Sequence, residues 1–502
     1  MAVTSFEYIV FTLAAALVYF VIPRRARLFW LLAASLLFYG LWSVPNAVLL
    51  VASSLGTYLV GLLCEEKPGG EAAGKGDRRR KCILTIGILL LAAELFVFKY
   101  LNFTLTQFNR ILEAAENPFR FEGVGLIMPV GVSFYVFQSI GYMVDVYRGK
   151  VRAERNVARF LLFITFFPKI IQGPIERSDG FLRQIGEIGG YRGRFDYRRV
   201  SGGLMLALLG FFMKMVIADR IAIMVDRIFA HYYLYGTVEL ALGAVGYALQ
   251  IYCDFAGYSL IAVGVGRVFG FELIQNFDCP YFAASTREFW RRWHISLSTW
   301  FRDYLYIPLG GSRCSAWRKR LNIMIVMLVS GIWHGAGWNF IAWGLVHGFY
   351  QVAGDILAPR LDRLRKRLGA RTESASYAWG RMIVTFALID LAWIFFRAES
   401  ISLALDYLRR MFTCFNPWVL FDGSLLSLGL AGNELNILVA ALAIVIAVDV
   451  SRYRHRAGID DLLENQSLWF KWGVIILLFT MVWVYGEYGP GFSGSNFIYQ
   501  SF

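Results

Sequence analysis

Long apolar stretches recur along the chain and are separated by short polar connections. A helix needs about twenty apolar residues to cross a bilayer. Stretches of roughly this length lie at 6–22, 27–42, 46–63, 83–100, 124–146, 200–225, 239–268, 321–350, 380–397, 434–450 and 468–486. They predict an all-α polytopic membrane protein with about eleven transmembrane helices. The segment 158–172 is shorter and is interrupted by Pro168, which favours a re-entrant or interfacial piece.

Composition agrees with this pattern. The chain is 57% hydrophobic and 17% charged, whereas soluble domains average roughly 45–50% and about 25%. The net charge of +14 comes from short basic bursts between apolar stretches, an arrangement typical of cytoplasmic loops that face anionic lipid. It therefore argues for a bilayer as partner and against nucleic acid. The six cysteines show no metal-ligand spacing and are predicted to be reduced thiols, so no metal site is expected.

The basic bursts also predict an orientation. If the N-terminus lies outside, the bursts at 24–27, 78–81 and 148–155 fall inside. The later bursts also fall inside only if 158–172 does not cross and 321–350 is a hairpin that enters from the cytoplasm and returns. We therefore predict one membrane domain over 1–502. It contains a flexible cytoplasmic loop at 65–82, a cytoplasmic interfacial or re-entrant segment at 270–320, and the hairpin at 321–350. The first apolar stretch lacks a basic n-region and a cleavage site, which predicts a retained helix.

The segment 289–304, "FWRRWHISLSTWFRDY", combines aromatic and basic residues in the middle of the chain. Projected as one helix, its aromatic residues, including Trp290 and Trp293, share an arc about 120° wide with His294. This pattern predicts an interfacial amphipathic helix with aromatic rings in the lipid boundary. His294 is the exception, because an imidazole on an apolar membrane face is costly and is a candidate for function.

A second histidine, His334, lies in "GIWHGAGWN", at the turn of the predicted hairpin. Its small neighbours and Trp333 leave room for a cavity, and Asn339 is close enough in sequence to orient a ring or a substrate. His347, on the same hairpin, is interpreted as an ordinary core residue.

The richest polar group at predicted membrane depth is in "LQIYCDFAGYSLIAVG", where Gln250 and Asp254 lie one helical turn apart. Two interpretations stay open. The pair could orient a catalytic histidine, which needs a partner to fix its tautomer, or it could form hydrogen bonds between helices. The residues alone therefore predict a polytopic membrane protein with one or two buried histidines that can act as a general base.

Several blocks, taken in order, resemble the membrane-bound O-acyltransferase family, in the bacterial branch typified by the membrane subunit of alginate O-acetylation. They are "MPVGVSFYVFQSIGYMVDVYRG", "FFPKIIQGPIER", "YCDFAGYSLIAVGVGRVFGFELIQNF", "EFWRRWHISLSTWFRDYLYIPLGGSR", "SGIWHGAGWNFIAWGLVHG", "AWIFFRAES" and the C-terminal "FIYQSF". The resemblance covers most of the chain. One departure is "DFAGYSL", where this branch usually has D-F-S-G-Y-S-D, so that Ala256 and Leu260 replace a serine and an acid.

The resemblance implies a ring of helices around a central funnel and tunnel, with His334 as the catalytic histidine and His294 as the second motif histidine. Expected substrate-binding residues are Trp290, Trp293, Trp333, Asn339, Gln250 and Asp254. The implied reaction moves an acyl group, acetyl above all, to an extracytoplasmic hydroxyl. The donor is a cytoplasmic thioester, acetyl-CoA or another, and no tightly bound cofactor is expected.

The final acceptor implied by the resemblance is an exopolysaccharide or cell-wall polymer, reached through an extracytoplasmic partner of the SGNH-hydrolase type. The implied location is the bacterial cytoplasmic membrane. Two alternatives stay open. One is transfer of D-alanine from a carrier protein to teichoic acid. The other, from a different class, is a polysaccharide or lipid transporter or flippase, in which both histidines line a translocation path; such proteins often contain inverted repeats, and none is evident.

Overall fold

The computed structural model describes residues 2–66, 75–369, 371–456, 458–464 and 466–488. Residues 67–74 of the predicted loop at 65–82 and the block "FIYQSF" lie outside these ranges. Within them the secondary structure is helical and contains no strand. The prediction of an all-α protein is therefore confirmed.

The chain divides into two compact units. The first unit comprises Met1–Ala207 and Ile261–Ile274. Its helices are α1 (Phe6–Val21), α2 (Arg27–Gly40), α3 (Val44–Cys64), α4 (Lys75–Leu95), α5 (Leu101–Ala114), α6 (Val132–Tyr147), α7 (Val157–Thr165), α8 (Ser178–Glu187) and most of α9 (Tyr197–Phe211). The segment 166–175 after α7 is non-helical and almost wholly buried, which agrees with a helix broken at Pro168.

The second unit comprises Leu208–Leu260 and Gln275–Phe502 and contains both candidate histidines. Its helices are α10 (Asp219–Ala230), most of α11 (Thr237–Val268), α12 (Thr286–Arg292), α13 (Ile295–Phe301), α14 (Ala316–His334), α15 (Trp338–Arg367), α16 (Ala375–Arg397), α17 (Ile401–Thr413), α18 (Gly432–His455), α19 (Ile459–Glu464) and α20 (Leu468–Tyr485).

Serine residues set the start of many helices. A side-chain oxygen at the N-cap accepts a hydrogen bond from an otherwise unpaired backbone N–H of the first turn. This arrangement begins α1, α3, α12, α14, α16, α17 and α20, at Ser5, Ser43, Ser285, Ser315, Ser374, Ser400 and Ser467. The start of α12, which leads to the first histidine, is therefore fixed locally by the sequence.

Within the described ranges, seven helical segments are long and apolar enough to cross a membrane. They are Val44–Cys64, Asp77–Ala114, Tyr197–Ala230, Thr237–Val268, Ala375–Arg397, Gly432–His455 and Leu468–Tyr485. The chain is therefore a multi-pass membrane protein. Helix α1 is apolar but shorter, and the total of about eleven crossing helices stays a prediction.

In the part of the chain that the structure describes, three helical segments have the wider π-helical winding, in which a backbone N–H bonds to the carbonyl five residues earlier. They are Phe96–Tyr100, Phe212–Ala218 and Arg302–Tyr306. In the last of them, the Ile307 N–H donates to the Arg302 carbonyl at 2.9 Å. Two of the three lie in the second unit, next to elements that carry the candidate site.

The predicted flexible loop is wrong over 75–82, because α4 begins at Lys75. The reason is a specific anchor. Arg80 donates from Nε to the Cys64 carbonyl at 2.8 Å and from a terminal nitrogen to the Tyr147 carbonyl at 3.0 Å. These carbonyls lie at the ends of α3 and α6 and have no partner within their own helices. Arg80 thus joins the first part of α4 to the C-terminal ends of α3 and α6.

Candidate active site

The segment 289–304 is not one helix, so that prediction is wrong. Helix α12 ends at Arg292, Trp293 is extended, and His294 has a left-handed backbone with φ of 45° before α13 begins. A left-handed non-glycine residue is uncommon and is kept only where its surroundings require it. The break therefore interrupts the single arc of side chains that a continuous helix would have formed.

Hydrogen bonds to the preceding segment hold this break. The Ile295 N–H donates to the Asn276 carbonyl at 2.9 Å, and the Ser296 N–H donates to the Asn276 side-chain oxygen at 3.3 Å. The Asp278 N–H donates to the Arg292 carbonyl at 3.0 Å. Asn276, which is buried, therefore satisfies the first N–H groups of α13 and fixes the position of the histidine between the two helices.

The tryptophans of this segment pack in the protein interior. Trp290 is 8% exposed and Trp293 is 1% exposed. Trp293 contacts Trp393 of α16 and Phe289, with ring centroids 5.1 and 5.4 Å apart. The prediction that these rings lie in the lipid boundary is therefore wrong, because α16 supplies their apolar surroundings.

His334 is the last residue of α14, and Trp338 is the first of α15. The two helices approach closely through a pair of glycines. A Cβ on Gly344 would lie 2.4 Å from the Met327 carbonyl oxygen, and one on Gly331 would lie 2.4 Å from the Phe340 carbonyl oxygen. Only glycine allows this approach, so the glycines place His334 at the tip of a tight helix pair.

The two candidate histidines both contact the ring of Trp333. The Trp333 ring centroid is 6.0 Å from that of His294 and 4.9 Å from that of His334, and both contacts are edge-to-face. The two imidazoles are therefore no farther apart than the sum of these distances, about 11 Å. His294 is 0% and His334 is 2% exposed. The structure thus brings together the residues that the sequence singled out in two separate motifs.

Further aromatic rings enclose each histidine. His334 packs against Trp343 and Phe396, with centroids 4.9 and 5.3 Å away. His294 packs edge-to-face on Phe255, 4.6 Å away. Phe255 follows Asp254 on α11, so the block around Gln250 and Asp254 does lie beside the site.

Asp254 itself takes part in a buried ion cluster. Its carboxylate lies 2.7 Å from Lys214 Nζ, which also lies 2.7 Å from an Asp219 carboxylate oxygen. Lys214 belongs to the π-helical segment Phe212–Ala218, so the ion pair with Asp254 joins that segment to α11. This favours the helix-to-helix interpretation of Asp254. Gln250 is buried, and its side-chain oxygen accepts no hydrogen bond within the described part of the chain.

The Asn339 side chain holds the tip of the hairpin formed by α14 and α15. Its side-chain amide donates to the Ala398 carbonyl at 2.9 Å, directly after α16. This contact ties the start of α15 to the end of α16, where Phe396 covers His334. Asn339 therefore fixes the backbone at the start of α15, and one of its amide N–H groups is already engaged.

His347 is more closely connected to the site than the sequence indicated. Its Nδ1 lies 3.3 Å from Trp290 Nε1, which donates to it. Trp343 lies between His347 and His334, with centroids 4.8 and 4.9 Å away. Sequence reasoning missed Trp343, although Trp343 and His347 are four residues apart and so share one face of a helix.

Two buried histidines that contact one tryptophan, in a helical multi-pass protein, form a candidate active site with a candidate general base. Residues 152–368 match the sequence model of the membrane-bound O-acyltransferase family. The protein of Azotobacter vinelandii named "Probable alginate O-acetylase AlgI" is 37% identical over 80% of this chain and 76% of its own length.

A second relative, the "Peptidoglycan O-acetyltransferase" of Helicobacter pylori, is 34% identical over 78% of this chain and 76% of its own length. The "Teichoic acid D-alanyltransferase" of Bacillus subtilis is 30% identical over 44% of this chain and 58% of its own length. The chain belongs to the membrane-bound O-acyltransferase family, in the alginate O-acetylase branch, and is an O-acyltransferase. Both motif blocks with their histidines lie inside the matched range.

Proposed function

We propose that this enzyme moves an acetyl group from a cytoplasmic thioester, acetyl-CoA or another acyl thioester, to a hydroxyl on the outer side. The product is an O-acetylated exopolysaccharide or cell-wall polymer. The names of the two relatives that span most of the chain support acetyl transfer. The observation that carries the proposal is that His294 and His334, which are both buried, contact the same tryptophan ring, Trp333.

In this mechanism His334 is the general base. It accepts the proton of the acceptor hydroxyl as the oxygen attacks the thioester carbonyl carbon. The carbon–sulfur bond then breaks, and the proton held by His334 passes to the departing thiolate, so that an ester and a thiol are formed. His294 orients the reacting groups or stabilises the oxyanion. The aromatic enclosure by Trp343 and Phe396 excludes water, which would otherwise hydrolyse the thioester.

The orientation follows from the basic bursts. With the N-terminus outside the bacterial cytoplasmic membrane, the segment before α14 faces the donor in the cytoplasm, and the hairpin tip with His334 lies deeper towards the outer side. An extracytoplasmic partner of the SGNH-hydrolase type then carries the acyl group to the polymer.

The test compares ester-linked acetate on surface polymers among cells that carry the wild type, a deletion, and His334→Ala. General-base catalysis contributes about 10²–10⁴-fold, so His334→Ala should lower ester acetate nearly to the deletion level. The control is His231→Ala, because His231 lies in an exposed connection between helices and its loss should leave acetylation unchanged. Both variants should reach wild-type levels in the membrane and melt like the wild type.

Three outcomes would contradict the proposal. Wild-type ester levels in His334→Ala would refute the catalytic assignment. D-alanyl ester in place of acetyl ester would identify the alternative acyl group. If His334→Ala blocked export of the polymer but left its acylation intact, the result would favour a transporter.

A further inference from the structure

Two non-glycine residues with left-handed backbones lie on neighbouring segments of the second unit. Cys279 has φ of 46° and His294 has φ of 45°. The two segments that carry them, 275–282 and 288–296, are joined through Asp278 and Arg292 and are called the junction below. The Asp278 N–H donates to the Arg292 carbonyl at 3.0 Å, and the Arg292 side chain donates back to the Asp278 carbonyl at 3.1 Å. Such backbone conformations persist only where the surroundings impose them.

The carboxylate of Asp278 lies among three arginines. Its oxygens are 3.6 Å from Arg292, 3.6 Å from Arg452 and 3.3 Å from Arg456. Arg292 belongs to the junction, whereas the other two arginines come from the C-terminal end of α18. A guanidinium binds a carboxylate in a fixed geometry because its donors are held in one plane. Asp278 therefore connects the junction to a helix that follows it by more than 150 positions.

Arg452 holds both sides of Asn276. In addition to its ion pair with Asp278, it donates from a terminal nitrogen to the Gln275 side-chain oxygen. Asn276 lies between these two partners, and its carbonyl and side-chain oxygens accept the first N–H groups of α13. Arg452 thus fixes the residues that flank the one on which the break at His294 depends.

Further contacts come from the same face of α18. The Cys279 thiol donates to the Asp449 carbonyl at 3.3 Å. The Tyr453 ring stacks on Phe282 with centroids 5.2 Å apart, and the Arg292 guanidinium lies 5.4 Å from the Tyr453 centroid. The residues of α18 and its C-cap that contact the junction are spaced as one helical face. They are Asp449, Arg452, Tyr453 and Arg456.

The rest of α18 packs much less closely. Only 17% of its most apolar stretch is buried within the protein. Contacts that merely anchored a helix at the edge of the molecule would not need left-handed residues on the segments they hold. The presence of two such residues indicates that the end of α18 imposes a conformation on the junction.

We propose that the C-terminal end of α18 positions His294 in the active site, with Arg452 and Asp278 as positioning residues. Arg452 and Asp278 hold the backbone around Asn276. Asn276 in turn keeps the left-handed turn that places the imidazole of His294 against Trp333. The inference rests on the role in acyl transfer that the proposed function gives to His294.

The test follows His294 directly in the purified full-length protein. The chain contains five histidines, so labelling of the histidine Cε1 with carbon-13 gives a spectrum of few signals, and His294→Gln assigns the one of interest. Arg452→Gln should shift or broaden the His294 signal and leave that of His231, in an exposed connection, in place. The initial rate at which ester acetate appears on surface polymers of cells, per amount of enzyme in the membrane, should fall about tenfold, since small displacements of a reacting group are costly.

Arg454→Gln is the matched control. Arg454 is exposed, belongs to the same helix and lies roughly 150° around it from the centre of the contacting face. This variant loses the same charge and should keep both the His294 signal and the rate. Asp278→Asn is a second test variant, which keeps the backbone hydrogen bonds and should reproduce the effects of Arg452→Gln. Partly exposed ion pairs contribute little to global stability, so all three variants should melt close to the wild type.

Two outcomes would overturn the inference. One is an unmoved His294 signal with a wild-type rate in both Arg452→Gln and Asp278→Asn. The other is a lower rate that accompanies a lower melting temperature while the His294 signal stays in place, because α18 would then only stabilise the fold. A signal that moves while the rate stays at the wild-type value would support positioning by α18 and would remove His294 from the proposed function.

Discussion

Gly344→Ala should disable the enzyme while it leaves the membrane fold in place. The new methyl group would lie 2.4 Å from the Met327 carbonyl oxygen and 3.1 Å from the Gly331 Cα, whereas ordinary contact begins at 3.4 Å. Both neighbours are backbone atoms, which cannot rotate aside as a side chain can. Helices α14 and α15 must therefore move apart.

The expected loss of activity follows from how far these distances fall short of ordinary contact. Relief of the clash requires a separation of about 1 Å, and this moves His334, on α14, relative to Trp343, on α15. Displacement of reacting groups by about 1 Å can cost on the order of 100-fold in rate. Overpacking itself costs about 1–3 kcal/mol of stability. We expect kcat to fall by about ten- to a hundredfold.

The assay is single-turnover acetyl transfer by the purified protein, measured beside its melting temperature. Gly473→Ala is the matched control, because nothing lies within 4 Å of a Cβ at that position of α20. Alanine is favoured over glycine inside a helix by up to about 1 kcal/mol, so the control should keep its turnover and melt no lower than the wild type. Wild-type kcat and melting temperature for Gly344→Ala would refute the argument that close helix packing positions the catalytic base.

Two other predictions concern charges. Lys214→Met leaves Asp219 and Asp254 buried without their cation, so the protein should lose about 3–5 kcal/mol of stability, seen as a large drop in melting temperature; an unchanged melt would mean that the cluster is not stabilised by the lysine. A hydrogen bond from Lys319 holds the pKa of the Asp355 carboxyl group below its usual value. The ionised carboxylate therefore contributes stability that is fully present above about pH 3.9. This stability is lost as the pH falls through the lowered pKa. The melting difference between wild type and Asp355→Asn should therefore persist from pH 7 to pH 5 and shrink only in stronger acid; a difference that vanished near pH 6 would contradict this.

The local sequence pattern was enough to predict the all-α class and to select His294 and His334 as candidate site residues. Apolar length predicts membrane helices directly, and an imidazole among apolar residues stands out at any position. The small residues around His334 also predicted a turn, and the structure ends α14 at that residue. These features depend on neighbours within a few positions in the chain.

What the sequence could not predict depends on distant partners. The helix break at His294 is held by Asn276, eighteen positions earlier. The pattern of residues 289–304 alone does not indicate this break. The burial of Trp293 depends on Trp393, a hundred positions later. A periodic pattern of aromatic residues looks the same whether lipid or another helix covers it, so the interfacial interpretation was wrong for a physical reason.

The π-helical winding at Arg302–Tyr306 also bears on how relatives of this chain differ in length. A turn closed by bonding to the fifth preceding residue holds one residue more than an α-helical turn. Deletion of one residue there would restore ordinary winding without breaking the helix. The chain on either side of the wide turn would keep nearly the same direction, because that turn already accommodates the extra residue locally. Single-residue gaps in alignments of this family should therefore collect at this stretch.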